Sequence, residues 1–456
     1  MDNEMKDRAG VVPMNKRVAF LTLGCKTNQY DTAVMAAAFK EREYEIVGPD
    51  DPADVYVINT CAVTARSQAK SRQAVRRVRR ANPRAVVVVA GCYPQVAPGE
   101  ICAMDGVDVV TGSSCRREIP RYVDEVVASG HPVSHVEPIW SCREFEEGDA
   151  PVFHGRTRAF IKIEDGCENF CSYCIVPFAR GPVRSRPLES VLEETRRLAA
   201  DGFKEIVLTG IHLGQYGVDL VGSGLGLARV VERICDVEGI ERVRLSSVEP
   251  GDITEELVEV MRRPKVCPHL HVPLQSGSDR ILRAMKRGYS GADYAALARR
   301  LYQEIPGLGL TTDVMVGFPG ETQEDFRETC DIVEEVGFSR LHVFPFSPRK
   351  GTAAEGMGDR IPRAVKEQRA RSLIGIGKGL SLAFHERLVG TRVDVLVEEK
   401  SGRGSRWSLE GLTGNYVRVW FDGHPRLKGS IVEVDVNGAE AEGVDGVLPA
   451  NGGWGR

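Results

Sequence analysis

The sequence predicts an α/β protein built from three successive parts: an N-terminal parallel α/β sheet domain, a central open (β/α)6 partial barrel and a small C-terminal antiparallel β-barrel. Apolar strand candidates alternate with helix candidates from Arg17 onward, and the alternation resumes from Arg158 to about Phe384. After Val389 the pattern changes to short strands separated by glycines and charged residues, which is typical of a small antiparallel barrel.

The changes of pattern also predict the domain boundaries. We expect a disordered leader over 1–16, the N-terminal domain over 17–128, a proline-containing linker over 129–156, the central barrel over 157–384, the C-terminal barrel over 385–448 and a tail over 449–456.

The amino-acid composition limits the classes of protein to which the chain can belong. The chain has 456 residues, 42% hydrophobic and 27% charged, which is ordinary for a soluble globular protein. It has neither a bilayer-length apolar run nor a signal-peptide core, so we expect no membrane association and a cytoplasmic location. Twelve cysteines are then expected to be ligands or buried thiols rather than disulfides. A net charge of −4 gives no support for a nucleic-acid partner, which must rest on local patches.

A cysteine follows each of three strand candidates in the N-terminal domain. Cys25 follows RVAFLTL, Cys61 follows ADVYVINT and Cys92 follows AVVVVA. Because parallel strands end at one edge of a sheet, we expect these three thiols to converge there. They could form a three-cysteine cluster site, or they could be buried thiols that pack as small hydrophobic residues.

A second cysteine triplet, Cys167, Cys171 and Cys174, falls within eight positions after the first strand of the central barrel. Structural zinc normally takes four protein ligands and catalytic zinc includes His or carboxylate, so three cysteines without a nearby His favour another metal site. An iron–sulfur cluster held by three thiolates keeps one iron open for reaction. Zinc binding or a coincidental spacing is the alternative.

The helix predicted from about Thr64 to Ala81 is strongly basic. Seven cations and no acid occur from its middle to Arg84: Lys70, Arg72, Arg76, Arg77, Arg79, Arg80 and Arg84. Such a run is either a solvated helix face or a surface that meets phosphate.

Six strands are predicted in the central barrel: AFIKI, EIVLTG, RVRLSS, LHVPL, LTTDVMVG and RLHVF. Six parallel strands suit an open partial barrel whose active site lies at the C-terminal strand ends. The Cys167–Cys174 loop follows the first strand and is therefore expected at that mouth.

Aromatic and basic residues interleave in the C-terminal barrel: Arg406, Trp407, Tyr416, Arg418, Trp420 and Phe421. Such residues could stack bases and bind phosphate, but core aromatics would look the same. Residues 385–456 contain nine Lys or Arg against eleven Asp or Glu, which weakens the RNA interpretation.

The motifs and their order resemble the radical S-adenosylmethionine (SAM) methylthiotransferases over residues 17 to about 448. The matching motifs are LGCKTNQYD (23–31), NTCAVT (59–64), AGCYPQ (90–95), DGCENFCSYCIVPFARGPVRSR (165–186), HLHVPLQSGSDRILRAMKR (269–287) and TDVMVGFPGET (312–322). The resemblance implies an N-terminal cluster domain, a radical SAM barrel and a C-terminal TRAM domain. It also implies two [4Fe–4S] clusters, with Cys25, Cys61 and Cys92 as auxiliary ligands and the later triplet as the radical SAM ligands.

The stretch GCKTNQYD is most similar to the MtaB-like branch of the family, which acts on N6-threonylcarbamoyladenosine at tRNA position 37. Neighbouring branches act on isopentenyladenosine in tRNA or on an aspartate of a ribosomal protein. The protein substrate stays an alternative, because an acidic C-terminal domain would favour docking onto a basic ribosomal protein. A non-catalytic zinc RNA-binding protein is a distant alternative. The resemblance implies radical chemistry, because no side-chain base has a pKa matched to an unactivated C–H.

The resemblance and the motif positions together suggest the cofactor contacts. Tyr173 is expected near the SAM adenine, Gln275 and Ser276 near its ribose or methionine end, and the backbone of Gly317 and Phe318 near the adenine, although the glycine loop could be a plain turn. The barrel-mouth arginines Arg180, Arg184 and Arg186 are expected to bind the SAM carboxylate or tRNA phosphates, with surface salt bridging as the alternative.

The implied partners are a tRNA anticodon loop, a flavodoxin- or ferredoxin-like electron donor and a sulfur source. We assign no role to the cysteines that fit no cluster spacing: Cys102, Cys115, Cys142, Cys235, Cys267 and Cys330. His212 and His271 are expected to be structural.

Overall fold

The computed structural model describes residues 16–148, 156–400 and 408–449. Almost all of the predicted leader and tail, and also Arg406 and Trp407, lie outside these residues. The predicted fold class is confirmed in all three parts: a parallel α/β sheet, a six-stranded parallel barrel and a closed five-stranded barrel.

The first sheet has six parallel strands in the order β2-β1-β3-β4-β5-β6. Its strands β1 to β6 are Arg17–Thr22, Glu45–Val47, Val55–Thr60, Val86–Gly91, Val109–Thr111 and Val133–His135. The helices α1 to α5 are Lys26–Glu41, Ala65–Ala81, Cys92–Val96, Pro98–Cys102 and Ile119–Ser129.

Helices cover both faces of this sheet, which explains its continuously apolar strands. On β3, Val55 and Val57 belong to one apolar core while Tyr56 and Ile58 belong to the other. Alternate side chains of a strand point to opposite faces, so a strand covered on both sides has no polar face.

The two short strands β2 and β6 have no counterpart among the strands that the sequence predicts. Each has three residues that are exposed or half-buried, so neither carries a long apolar signal. Strand β6 lies within the segment predicted to be a linker and pairs in parallel with β5 through Val109 and Val133.

The central barrel contains the six predicted strands, in chain order. They are β7 (Arg158–Lys162), β10 (Glu205–Thr209), β11 (Arg242–Leu245), β12 (His269–His271), β13 (Gly309–Val316) and β14 (Arg340–Pro345). Two three-stranded sheets, β7-β10-β11 and β12-β13-β14, meet through a parallel bridge between Ser247 and His271. The accompanying helices α7 to α13 are Leu188–Ala200, Leu227–Cys235, Glu255–Met261, Asp279–Ala284, Gly291–Glu304, Gln323–Val336 and Arg363–Glu386.

A small ribbon brackets the second cysteine triplet. Strand β8 (Glu164–Asp165) precedes the cysteine loop, helix α6 (Val176–Arg180) follows it, and β9 (Arg184–Ser185) pairs antiparallel with β8. The ribbon therefore closes the base of the loop.

The C-terminal strands form a closed barrel in the order β15-β16-β17-β19-β18. These strands β15 to β19 are Arg392–Lys400, Ser408–Thr413, Arg418–Asp422, Ile431–Glu440 and Gly443–Val447. Its aromatic residues are mostly internal: Phe421 belongs to the barrel core, Trp420 is buried and donates to Glu410, and Tyr416 stacks on His269. The described aromatics thus favour core packing over an open stacking platform.

The C-terminal barrel is joined to the N-terminal ends of β10 and β11. Buried Arg244 pairs with Glu205 at 2.7 Å and donates to the carbonyls of Thr413 and Gly414, while Arg242 donates to the carbonyl of Leu412. Burial opposes ionisation of Glu205, but Arg244 and its neighbours lower the pKa overall. The small barrel therefore packs at the end opposite the C-terminal strand ends.

The chain divides into two compact units. The first comprises residues 1–153, 164–186 and 347–355, and the second comprises the remainder. This division follows contacts rather than sequence motifs, so the domain boundaries given above stay a prediction. Within the described ranges, no helix is long and apolar enough to cross a membrane.

Candidate metal centre

Three adjacent strands of the first sheet end at a cysteine. Strands β1, β3 and β4 are direct neighbours, and they lead into Cys25, Cys61 and Cys92 respectively. Because neighbouring parallel strands end at the same edge of a sheet, the three cysteines are carried to one edge. The sheet therefore brings the first triplet together at its C-terminal edge.

Glycine makes the turn before Cys92 possible. Gly91 has φ +94°, and a Cβ at this position would lie 2.4 Å from the side-chain oxygen of Asn59 and 2.9 Å from the carbonyl oxygen of Thr60. Any L side chain here would clash with the neighbouring strand. Cys92 can follow β4 so closely only because the preceding residue has no side chain.

A buried amide fastens the loops that follow β1 and β3. The side chain of Asn28 donates to the carbonyl of Leu23 at 2.8 Å and to that of Thr60 at 3.0 Å. These bonds hold the segments that carry Cys25 and Cys61 at a constant separation.

Burial disfavours the thiolate form of Cys61 and Cys92. Burial, together with the nearby charge of Cys92, raises the pKa of Cys61 to about 11. Burial also raises the pKa of Cys92, although Arg180 opposes this effect. A bound metal group must therefore displace protons from these thiols.

The second triplet lies in the first unit, on the loop between β8 and α6. Cys167, Cys171 and Cys174 are each partly exposed. The backbone N–H of Cys167 donates to the carbonyl of Gly181 at 3.0 Å, and that of Cys174 donates to the carbonyl of Cys171 at 2.9 Å. The loop therefore has a defined backbone with three accessible thiols.

Gly166 permits a close approach at the base of this loop. Its φ is +105°, and a Cβ there would lie 1.8 Å from the carbonyl oxygen of Pro182. Since the obstructing atom belongs to the backbone, a side chain cannot be accommodated by a rotamer change.

The two cysteine-bearing segments pack against each other. Cys92 shares one small apolar cluster with Ala62, Ile175 and Ala179. Ala62 directly follows Cys61, and Ile175 directly follows Cys174. The two triplets are thus neighbours within the first unit.

A buried network of charges surrounds this contact. Arg180 lies 2.7 Å from Asp31 and 3.3 Å from Asp165, and its Nε donates to the Sγ of Cys92 at 3.3 Å. Arg116 bridges the same two carboxylates, at 3.1 Å each. Burial opposes the charge of Arg180, but Cys92 and the two aspartates raise its pKa well above the usual value.

All three arginines predicted to bind substrate are buried. The exposed fractions are 1% for Arg180, 4% for Arg184 and 3% for Arg186. Arg184 donates to the carbonyl of Arg180, and Arg186 donates to the hydroxyl of Tyr30. Substrate binding by these residues stays a prediction, and the contacts they make in this structure are internal.

The predicted SAM residues of the second unit lie just beyond C-terminal strand ends. Gln275 follows β12 with φ +64°, and its Oε1 is buried without a hydrogen-bond partner among the described residues. Ser276 lies 3.2 Å from the hydroxyl of Thr329, Gly317 has φ +72°, and Phe318 packs edge-on against Phe346. A strained backbone with an unsatisfied buried oxygen is typical of a ligand site.

The cysteine triplets suit a cluster of several metal ions better than a single ion. Within the described ranges, no group of three or more His, Cys, Asp or Glu side chains is placed to hold a single ion. A four-iron cluster is larger and takes each thiolate on a different iron, so thiols on neighbouring loops suit it. The free thiols of Cys61 and Cys92, the second of which contacts the cationic Arg180, fit such a cluster.

Sequence reasoning missed the residues that support the cysteines. Asn28 and Asp31 lie within the 23–31 motif, so their position beside Cys25 was a usable signal. Asp165 likewise begins the 165–186 motif, whereas Arg116 had no such signal, because its pairing with Asp31 and Asp165 joins segments that are far apart in the chain. Tyr173 is half-buried on the second cysteine loop, and its contact with SAM stays a prediction.

We expect Gly166→Ala to lower the iron bound after anaerobic reconstitution to about half, because the new Cβ would displace the loop that is predicted to carry one of two four-iron clusters. Gly202→Ala is the matched control, since Gly202 also has a positive φ, +91°, but no atom lies within 4 Å of its Cβ position. Iron and sulfide analysis measures the difference. Equal iron in both variants would contradict the role given to Gly166.

We expect Arg180→Met to lower the free energy of unfolding of the cluster-free protein by about 3 kcal/mol, because the buried carboxylates of Asp31 and Asp165 then keep Arg116 but lose the second of their two cations. Arg121→Met is the control, since Arg121 forms an exposed pair with Glu118 on a helix surface. Urea unfolding followed by circular dichroism, under reducing conditions, compares the two. An equal midpoint for both variants would show that the buried network does not stabilise the fold.

Two family models match the chain. The model described as "Uncharacterized protein family UPF0004" matches residues 17–112, and the Radical SAM superfamily model matches residues 161–333. Among solved structures, the radical SAM methyltransferase TsrM from Kitasatospora setae aligns with a TM-score of 0.56 and 17% identity, over 75% of this chain and 74% of that one. This likeness supports the fold alone.

Relatives match nearly the whole chain. Threonylcarbamoyladenosine tRNA methylthiotransferase MtaB from Bacillus subtilis (strain 168) is 43% identical, over 92% of this chain and 93% of its own length. The protein of the same name from Aquifex aeolicus is 37% identical over 92% and 99%. A tRNA-2-methylthio-N(6)-dimethylallyladenosine synthase from Pelotomaculum thermopropionicum is 37% identical over 96% and 98%. Together with the two cysteine triplets, these matches show that the chain belongs to the radical SAM methylthiotransferase family, whose cofactors are SAM and [4Fe–4S] clusters.

Proposed function

We propose that this protein is a tRNA methylthiotransferase that converts N6-threonylcarbamoyladenosine at position 37 to its 2-methylthio derivative. The observation that carries the proposal is the packing of the two cysteine-bearing segments around Cys92, Ile175 and Ala179. Methylthiolation needs both a radical that removes hydrogen and a source of inserted sulfur. Two adjacent clusters are suited to supply these two functions to one substrate.

The proposed ligands are those that the motifs predict. Cys25, Cys61 and Cys92 would hold the auxiliary cluster, and Cys167, Cys171 and Cys174 would hold the radical SAM cluster. Tyr173, Gln275, Ser276, Gly317 and Phe318 are proposed to contact SAM. The unsatisfied Oε1 of Gln275 supports this assignment, because a bound ligand would provide its missing partner.

The cofactors supply the reactive groups, and the protein chain holds them in position. When bound, the reduced cluster and SAM supply a 5′-deoxyadenosyl radical, a second SAM supplies a methyl group and the auxiliary cluster supplies sulfur. Gly91 and Gly166 let the cysteine loops approach neighbouring backbone, and Arg180 pairs with Asp31 and Asp165 to keep those loops together. Their burial excludes water from the contact between the loops.

The substrate branch rests on the sequence and on the relatives. The stretch GCKTNQYD and the identity of 43% to the Bacillus subtilis protein favour threonylcarbamoyladenosine. The relative from Pelotomaculum thermopropionicum, at 37%, keeps the dimethylallyladenosine substrate as the second candidate. A ribosomal-protein aspartate and a non-catalytic zinc protein are the remaining alternatives.

The proposed function also defines partners and location. The tRNA would present its anticodon loop, an electron donor of the flavodoxin or ferredoxin type would reduce the radical SAM cluster, and a sulfur source would renew the auxiliary cluster. A tRNA substrate favours the cytoplasm as the place of action.

Nucleoside mass spectrometry tests the substrate. We expect anaerobic incubation of the reconstituted protein with SAM, sulfide, reductant and threonylcarbamoyladenosine-containing tRNA to add one methylthio group to that nucleoside. Isopentenyladenosine tRNA and the ribosomal protein serve as parallel substrates. A product on either of these and none on the first would overturn the proposed branch, whereas a colourless zinc protein that does not cleave SAM would overturn the enzyme itself.

Cysteine variants separate the two clusters. We expect Cys25→Ala to keep about half of roughly eight irons and to cleave SAM to 5′-deoxyadenosine without forming product, because only the sulfur-supplying cluster is lost. Cys167→Ala should lose both activities.

Cys102→Ala is the matched control for these variants, since Cys102 is an exposed thiol outside both triplets. It should behave like the native protein. Full product formation by Cys25→Ala would contradict the auxiliary role of the first triplet.

A further inference from the structure

Helix α2 presents a continuous row of exposed cations. The members are Arg66, Lys70, Arg77 and Arg80, which we call the basic stripe. They are spaced by four, seven and three residues, and these spacings return to the same face of an α-helix. At 1.5 Å per residue, the stripe is about 21 Å long.

The face of the helix opposite the stripe packs within the fold, and Arg76 is a further exposed cation beside the stripe. Ser71, Val75 and Val78 form its buried face, opposite the stripe. Arg79 pairs with Asp108 at 2.5 Å, and Arg72 donates to the hydroxyl of Tyr93. These two cations therefore have structural partners, which distinguishes them from the stripe.

The charge of the stripe is hardly compensated. Helix α2 contains no Asp or Glu, and Arg66, Lys70 and Arg80 form no ion pair with any residue that the structure describes. Arg77 has only a loose, exposed contact with Asp50 at 3.8 Å. On other helices an arginine pairs with a carboxylate three or four residues away, as in Arg229–Glu232, Arg327–Glu324 and Arg363–Glu367.

This concentration is unusual because the whole chain carries a net charge of −4. A local positive surface on an acidic protein attracts polyanions to one place rather than to the surface in general. It also begins beside the candidate metal centre, since the helix starts at Ala65, four residues after Cys61. Thr64 caps the helix by accepting from the N–H of Ser67 at 3.1 Å, which fixes its start.

We propose that the basic stripe binds the sugar–phosphate backbone of the tRNA substrate. This deepens and rests on the proposed function. The three arginines of the stripe offer planar donor forks that match phosphate oxygens. No exposed large hydrophobic residue of the described chain lies on α2, whereas a protein partner such as an acidic electron donor normally requires an apolar or aromatic centre. The observations therefore favour RNA phosphate over a protein surface.

The test replaces all four stripe residues by glutamine: Arg66→Gln, Lys70→Gln, Arg77→Gln and Arg80→Gln. Binding of threonylcarbamoyladenosine-containing tRNA to the reconstituted protein is measured between 50 and 200 mM salt. We expect affinity at least about tenfold weaker near physiological salt, and a salt dependence reduced by about three in the slope of log K against log salt.

The control removes the same charge from another surface. Arg363, Arg371, Lys378 and Arg387, on or next to α13, also comprise three arginines and one lysine, and all four are exposed. Their replacement by glutamine should leave the slope nearly unchanged. Iron content and SAM cleavage without tRNA should be native in both variants, which shows that the fold and the clusters are intact.

The outcomes separate the inference from the proposed function. Native tRNA affinity in the stripe variant, with tRNA still modified by the native protein, would overturn the inference alone. An equal loss in both quadruple variants would also overturn it, because total charge would then explain the effect. Native tRNA binding combined with slower reduction by flavodoxin would assign the stripe to a protein partner instead. If the native protein neither binds nor modifies tRNA, the proposed function fails, and the inference fails with it.

Discussion

A guanidinium that is withdrawn from water must be fully paired, and this constraint governs the core of the first unit. Arg180 is 1% exposed and reaches Asp31 on α1, Asp165 on β8 and the thiol of Cys92. Its partners come from three distant parts of the chain. The segments carrying the two cysteine triplets can therefore separate only by leaving buried charges unpaired, which is costly.

The parallel sheet brings together cysteines that are far apart in the sequence. Because β1, β3 and β4 are neighbours, the residues after their C-terminal ends meet at one edge. Gly91 then lets Cys92 follow its strand without clashing with Asn59 and Thr60. The order of the strands brings the three thiols to one edge of the sheet. The positive φ of Gly91 then permits the close turn that leads into Cys92.

Buried and exposed cations of this protein differ in whether they have carboxylate partners. The inner arginines Arg116 and Arg180 have carboxylate partners, whereas the stripe on α2 has almost none. An uncompensated surface charge contributes little to stability but attracts a polyanion. In the second unit, Arg244 uses its charge to join the C-terminal barrel to the start of β11, away from the C-terminal strand ends where Gln275 lies.

The amino-acid sequence by itself determined the fold class, the six strands of the central barrel, the basic helix and the two cysteine triplets, because periodicity and short motifs are local signals. It did not reveal the short strands β2 and β6, whose exposed residues carry no apolar pattern. Only the tertiary structure decided that Arg180, Arg184 and Arg186 are buried, that Trp420 and Phe421 are internal, and that Cys92 packs beside Ile175. Whether a side chain is buried, and which partner it has, depends on contacts between segments that are far apart in the chain. Local sequence patterns do not reveal these contacts.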